Sequence, residues 1–138
     1  MTSTGERRFE VFGFDVPWEH AVGYSQGLRA GDLVKVSGQL SHDLDGNVLH
    51  AGNFPAQLEA TLGNLDRVLS NFGAHRSDVV EVNVYIVDLR ANFDAAVAGL
   101  KWYFDDHRPT NTTVGVTALA FPQQLVEVAA TAILPTQP

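Results

Sequence analysis

The 138-residue chain has 45% hydrophobic and 18% charged residues, a globular balance, long enough for one core and too short for two ordinary domains. Its formal charge of -7 and the lack of any basic run speak against phosphate-backbone binding, and no apolar run approaches the roughly 18 residues that span a membrane. No nucleic-acid or membrane partner is expected. Absence of cysteine excludes disulfides and thiolate chemistry. One domain over residues 1–138 is expected, with residues 1–8 flexible; their polarity, with no apolar leader behind them, places the protein in the cytoplasm.

In chain order, Phe9 to Phe12 alternates weakly like an edge strand, and Val16 to Gly23 reads as a loop. Tyr24 to Ala30 and Leu33 to Leu40 form two strands of a hairpin turned at Gly31-Asp32, and Gly38 inside the second suggests a bulge or a place where a ligand meets backbone. The stretch Asp43-Leu44-Asp45-Gly46-Asn47 resembles a calcium loop. Its glycine comes two places early, however, and Phe54 stands where the bidentate glutamate belongs, so it is read as an Asp-Gly turn. A helix follows from Asn53, its cap, to Phe72: Pro55 suits the first turn, Leu58, Leu62, Leu65, Leu69 and Phe72 make one stripe, and Gly73 ends it.

The strand from Asp78 to Asp88 puts Val80, Val82, Val84 and Ile86 on one face and Glu81, Asn83 and Tyr85 on the other. A second helix, Asn92 to about Phe104, carries Phe93, Val97, Leu100 and Phe104 on one side, despite a cost of about 1 kcal/mol for Gly99. Thr110 to Val116 and Leu125 to Leu134 are β-branched strands joined by a loop at Ala120-Phe121-Pro122. This order predicts an α+β domain: one mixed sheet of about six strands, one face covered by both helices and the other left mixed.

In the last strand Glu127 is the only charge between apolar neighbours on both faces, so it must be solvated, paired or used. On the residues alone it suits a partnered interface carboxylate as well as a catalytic one, which desolvation would tune toward neutral pH. Tyr24 reads as a half-buried strand aromatic, Ser37-Gly38 as a bulged strand and Thr113 as a β-former. His20, His42, His50, His75 and His107 show no metal-ligand spacing, and neither a nucleophile elbow nor a phosphate loop occurs, so no metal or cofactor is expected.

Several segments together carry a resemblance: Gly23-Tyr24-Ser25-Gln26, Val36-Ser37-Gly38-Gln39, His107-Arg108-Pro109-Thr110-Asn111-Thr112-Thr113-Val114 and Val126-Glu127-Val128-Ala129. Their order, from Val22 to Ile133, is similar to the Rid family of reactive intermediate deaminases, also called YjgF proteins. The resemblance implies a chorismate-mutase-like homotrimer with small-molecule clefts at its three subunit interfaces. It implies that Glu127 holds a water or ligand, that Tyr24 assists, and that Ser37, Gly38, Asn111 and Thr113 line the substrate site.

One departure concerns activity and not fold. Where deaminating members carry an arginine that grips the substrate carboxylate, this chain has Asn111, shorter and neutral. Losing that clamp should cost on the order of 2 to 4 kcal/mol of binding. Asn111 would then recognise a neutral or hydroxylated group, and strand alternation sends Arg108 to the opposite face, where it reads as a solvated surface side chain. The resemblance therefore implies an enzyme acting on a small enamine, imine or related carbonyl compound, and not a standard 2-imino acid deaminase. The alternatives are a non-catalytic small-molecule-binding protein and a pathway-specific deaminase of the aminomuconate type.

Overall fold

A computed structural model of the protein describes residues 8–136, so the segment expected to be flexible lies outside the described residues except for Arg8. The elements in chain order are β1 (Glu10–Phe12), α1 (Pro17–Val22), β2 (Gly27–Ala30), β3 (Leu33–Gln39), α2 (Phe54–Asn71), β4 (Val79–Val87), α3 (Leu89–Phe104), β5 (Thr110–Val116) and β6 (Val126–Ile133). Six strands form one sheet in the order β1-β2-β3-β6-β4-β5, in which only β4 and β5 run parallel. Among the described residues no helix is long and apolar enough to cross a membrane.

Both long helices cover one face. Val34, Val36, Val82, Val84, Ile86, Val126, Val128, Ala130 and Ala132 project from the sheet into a core closed by Leu58, Leu62, Leu65, Val68 and Leu69 of α2. The expected stripe of α2 is thus the buried one. Its ends are set by chemistry written in the sequence: Asn53 Oδ1 accepts from the Ala56 N–H at 3.2 Å, and Gly73, at φ 77°, takes the left-handed turn beyond the last residue.

Three expectations change. The stretch from Val16 to Gly23 is not all loop, because Pro17 presets the first φ of a six-residue helix and Gly23 N–H closes it on Glu19 O at 2.9 Å. In β4 the extra residue of a bulge opposite Thr131 and Ala132 turns Val80 outward, 44% exposed, while Val79 takes its place in the core. The second helix begins at Leu89, and Asn92, expected at its start, sits in its first turn with Nδ2 donating to Val87 O at 3.0 Å.

The buried face of α3 also differs from its apolar stripe. Ala96, Tyr103 and Phe104 are buried, whereas Phe93 and Val97 are 49% and 39% exposed. Small residues decide this. Gly99 lies against Leu58 of α2 so closely that a Cβ would collide with it, which draws α3 toward α2 and leaves Phe93 and Val97 over the β5 edge. The pair is tied by Tyr103, whose hydroxyl donates to Asp66 at 2.7 Å, and by Arg76, which bonds the same carboxylate at 2.8 Å.

Candidate functional site

Glu127 stands on the uncovered face of β6, opposite Tyr85 of β4. Beside it β3 contains a bulge, since Val36 pairs with Ala130 and Gln39 with Val128, which sets two residues of β3 against one of β6. The extra length falls at Ser37-Gly38. A Cβ on Gly38 would run into the Glu127 carboxylate and its stem, so the glycine lets that side chain lie flat across the neighbouring strand. Among the described residues no cation pairs with Glu127; its one polar partner is Gln124 Nε2, at 3.4 Å from Oε1. Burial pushes its carboxyl above the ordinary value, and the Gln124 contact opposes this only in part.

Tyr24 belongs to the turn between α1 and β2 and not to a strand, a correction to its expected setting. Burial raises its phenol, the Gln26 contact and Trp18 oppose, and the carboxylates of Glu19 and Glu127 add to the rise. Behind it runs a buried amide chain. Gln26 Nε2 donates to Glu19 Oε2 at 2.9 Å and reaches Tyr24 Oη at 3.4 Å, while Gln26 Oε1 accepts from Gln39 Nε2 at 2.8 Å. Gln39 also bonds Ser37 O at 3.0 Å, and Ser37 Oγ bonds Ser25 O at 2.7 Å, so the bulge and the tyrosine turn are held in one network. Gln39 Oε1 and Gln124 Oε1 remain buried without a partner.

A second group lies on the other side of the sheet. Asn111 and Thr113 pair in register with Val82 and Val84, whose side chains enter the helix-covered core, so they too face α3. Thr113 Oγ1 donates to Asn111 Oδ1 at 2.7 Å. The two line a cavity of about 390 Å³ whose other wall is α3: Phe93, Ala96, Val97, Leu100 and Lys101.

The family described as Endoribonuclease L-PSP matches residues 17–134. The chain belongs to this family, the YjgF/Rid proteins. It is similar to 3-aminoacrylate deaminase RutC of Acinetobacter baylyi, 32% identical over 109 residues, which is 79% of this chain and 85% of the relative. It is likewise similar to 2-iminobutanoate/2-iminopropanoate deaminase of Dermatophagoides farinae, 32% identical over 96 residues, 70% of this chain and 74% of the relative. Among solved structures, a YjgF/YER057c/UK114-family member from Mycobacterium tuberculosis superposes with a TM-score of 0.82 at 29% identity, covering 91% of this chain and 99% of that one.

In this Rid protein the six residues singled out in the sequence do not meet within one chain. Glu127, Tyr24, Ser37 and Gly38 gather on the open face; Asn111 and Thr113 are two strands away at the sheet's edge and on the opposite face. Arg108, in the loop before β5, is exposed and makes no salt bridge among the described residues. Sequence reasoning assigned no role to Glu19, Gln26, Gln39, Gln124 or Lys101. A signal existed for two of them: Gln26 and Gln39 are polar residues at inward positions beside the Tyr24 and Gly38 motifs, where a buried amide needs a partner.

Proposed function

We propose that the protein is a Rid-type hydrolase of small imines or enamines, working in clefts where the Glu127 half-site of one protomer meets the Asn111 half-site of another in a homotrimer. The observation that carries this reading is Glu127: a half-buried carboxyl with a raised pKa, no cationic partner among the described residues, and a backbone bulge shaped to seat it. Deaminase relatives support the reaction class, and the division of the site between two sheet faces supports a composite cleft.

The chemistry follows from these groups. Protonated Glu127 gives its proton to the imine nitrogen, which makes the carbon electrophilic, and the resulting carboxylate then takes a proton from the attacking water. Glu127 then passes its proton to the amine nitrogen, and as the C–N bond breaks and ammonia leaves, the carbinolamine hydroxyl gives its proton to the Glu127 carboxylate, which forms the carbonyl compound and regenerates the acid. An enamine needs one earlier step, protonation at carbon to give the imine. The Tyr24 hydroxyl, fixed from behind by Gln26, orients the water. Asn111 lacks the paired cationic hydrogen bonds of an arginine, so imines derived from serine or threonine are hydrolysed more slowly than by arginine-bearing relatives.

Glu127→Gln keeps the shape and removes the proton relay; it should leave the fold intact and lower turnover of an imine generated in situ roughly a hundredfold. Equal turnover by the variant would remove Glu127 from the mechanism. Asn111 itself favours a second reading, a binding protein that kept the cleft and lost turnover. Failure of the wild type to accelerate decay of any small imine, together with retained ligand binding, would select it.

A further inference from the structure

We infer that Glu19 is a positioning residue: through Gln26 it sets the direction of the Tyr24 hydroxyl, so that Tyr24 gives its proton toward the open face and not to the amide behind it. The inference rests on the proposed Rid-type reaction for what that proton then does, and on the hydrogen bonds for where it points. Glu19 stands behind the site and acts through its partners.

Glu19, on α1, is a buried carboxylate with no cation paired to it among the described residues. Every partner it has is a donor: Phe14 N–H at 2.8 Å, Asp15 N–H at 3.2 Å and Gln26 Nε2 at 2.9 Å. The backbone is shaped to receive it. Asp15 takes the left-handed region at φ 63°, and residue 13 is a glycine, where a Cβ would collide with the carboxylate. The two backbone N–H groups hold Glu19 independently of Gln26, and Glu19 in turn holds Gln26.

An amide side chain can lie in two orientations, and a carboxylate, which only accepts, admits one of them. Gln26 must turn its NH₂ end to Glu19. That same Nε2 reaches Tyr24 Oη at 3.4 Å, and Gln26 Oε1, at the other end, accepts from Gln39 Nε2 at 2.8 Å. Gln39 is oriented in the same sense, since its Nε2 also donates to the Ser37 carbonyl at 3.0 Å. The donors therefore run one way, from Gln39 to Gln26 and from Gln26 to Glu19 and Tyr24, and the phenol oxygen receives a hydrogen bond from behind. Trp18 adds to this: its buried indole N–H makes no regular hydrogen bond, and against the rise that burial gives the phenol pKa, Gln26 and then Trp18 pull as donors do. With donors behind it, the Tyr24 O–H has no acceptor on that side and points forward. There it can bond one lone pair of the water, which keeps its other lone pair for the imine carbon and a proton for the Glu127 carboxylate.

Neutron diffraction from deuterated crystals reads these directions without turnover. In wild type both Gln26 side-chain deuterons should lie toward Glu19 and Tyr24, and the Tyr24 deuteron away from Gln26. In Glu19→Gln the new amide must spend its oxygen on the Phe14 and Asp15 N–H groups and so meets Gln26 with a second NH₂. Gln26 should then turn over, and the Tyr24 deuteron should move to the Gln26 side. Kinetics read the consequence. On an imine generated in situ, Glu19→Gln should lose about tenfold in kcat with KM little changed, as expected of Tyr24→Phe, and should lose nothing further in the Tyr24→Phe background. Gln26→Met breaks the link while sparing the seat of Glu19, so it should follow the same pattern and decides the matter if Glu19→Gln does not fold, as melting curves will show. A Tyr24 deuteron lying between Oη and Gln26 in wild type would overturn the assignment, as would equal losses in both backgrounds, which a role confined to stability would give. Deuterons as expected in a protein that turns over no imine would refute the proposed reaction and leave Glu19 setting the hydroxyl; wild-type turnover with equal losses in both backgrounds would do the reverse.

Discussion

Glu127 combines two demands, burial and charge, that pull its stability and its chemistry in opposite directions. Its folded-state pKa is raised, chiefly by burial, so its contribution to folding is fully present below the unfolded value and is lost as pH rises through the folded one. Glu127→Gln should therefore melt close to wild type in acid and above it at alkaline pH, the gap opening as pH climbs past the ordinary carboxylate range. Melting curves between pH 4 and 8 check this; a gap that narrows with rising pH would mean that the folded protein favours the charged form. Tyr24→Phe removes the hydroxyl from a ring already held by its neighbours, and a loss of about tenfold in turnover with little change in melting temperature is expected. As a lone charge, Glu127 was legible in the sequence. The pairings of Gln26 and Gln39 were not, because Glu19 on α1, Gln26 ahead of β2 and Gln39 at the end of β3 meet only in the fold.

At the scale of elements, the bulge in β3 couples backbone geometry to the site. Gly38→Ala places a methyl group where the Glu127 side chain now lies, and the flexible carboxylate must leave the neighbouring strand. Turnover should fall nearly as far as in Glu127→Gln, with a stability loss of about 1 to 3 kcal/mol by denaturant titration. Full activity in Gly38→Ala would show that Glu127 works from another position. The Asn53 cap offers a contrast: Asn53→Ala should cost about 1 kcal/mol and leave activity alone. Elements with a clean period and their own caps, such as α2 and β6, could be read from the sequence. Those governed by a small residue or an inserted one could not: Gly99 resets the buried face of α3, and the bulge at Val80 exchanges it with Val79. Six residues from Pro17 to Val22 carry no stripe long enough to announce a helix.

At the scale of the molecule, one protomer covers one face of its sheet and leaves Glu81, Asn83, Tyr85 and Glu127 to the other. That face, together with Val114 at 39% exposure on β5, is where the partner subunits belong in the proposed homotrimer. Light scattering at micromolar concentration should give three times the mass of the chain, and a monomer would remove the composite cleft. Strand alternation assigns faces within a strand but cannot relate the faces of β5 and β6, which depend on strand order and register. For that reason the sequence could single out six candidate residues and could not show that they lie on two opposite faces of the sheet.

The central claim, that a working site takes Glu127 from one chain and Asn111 from the next, is tested most directly by subunit mixing. Glu127→Gln lacks the proton relay, and Asn111→Trp fills the cavity beside α3; each alone should be nearly inactive on an imine generated in situ. Unfolded together in equal amounts and refolded, they should form mixed trimers in which about a quarter of the interfaces pair an intact Glu127 with an intact Asn111, restoring about that fraction of wild-type turnover. Were both residues to act within one chain, every chain in the mixture would still carry a defect, and a refolded mixture no more active than its two parents would contradict the account.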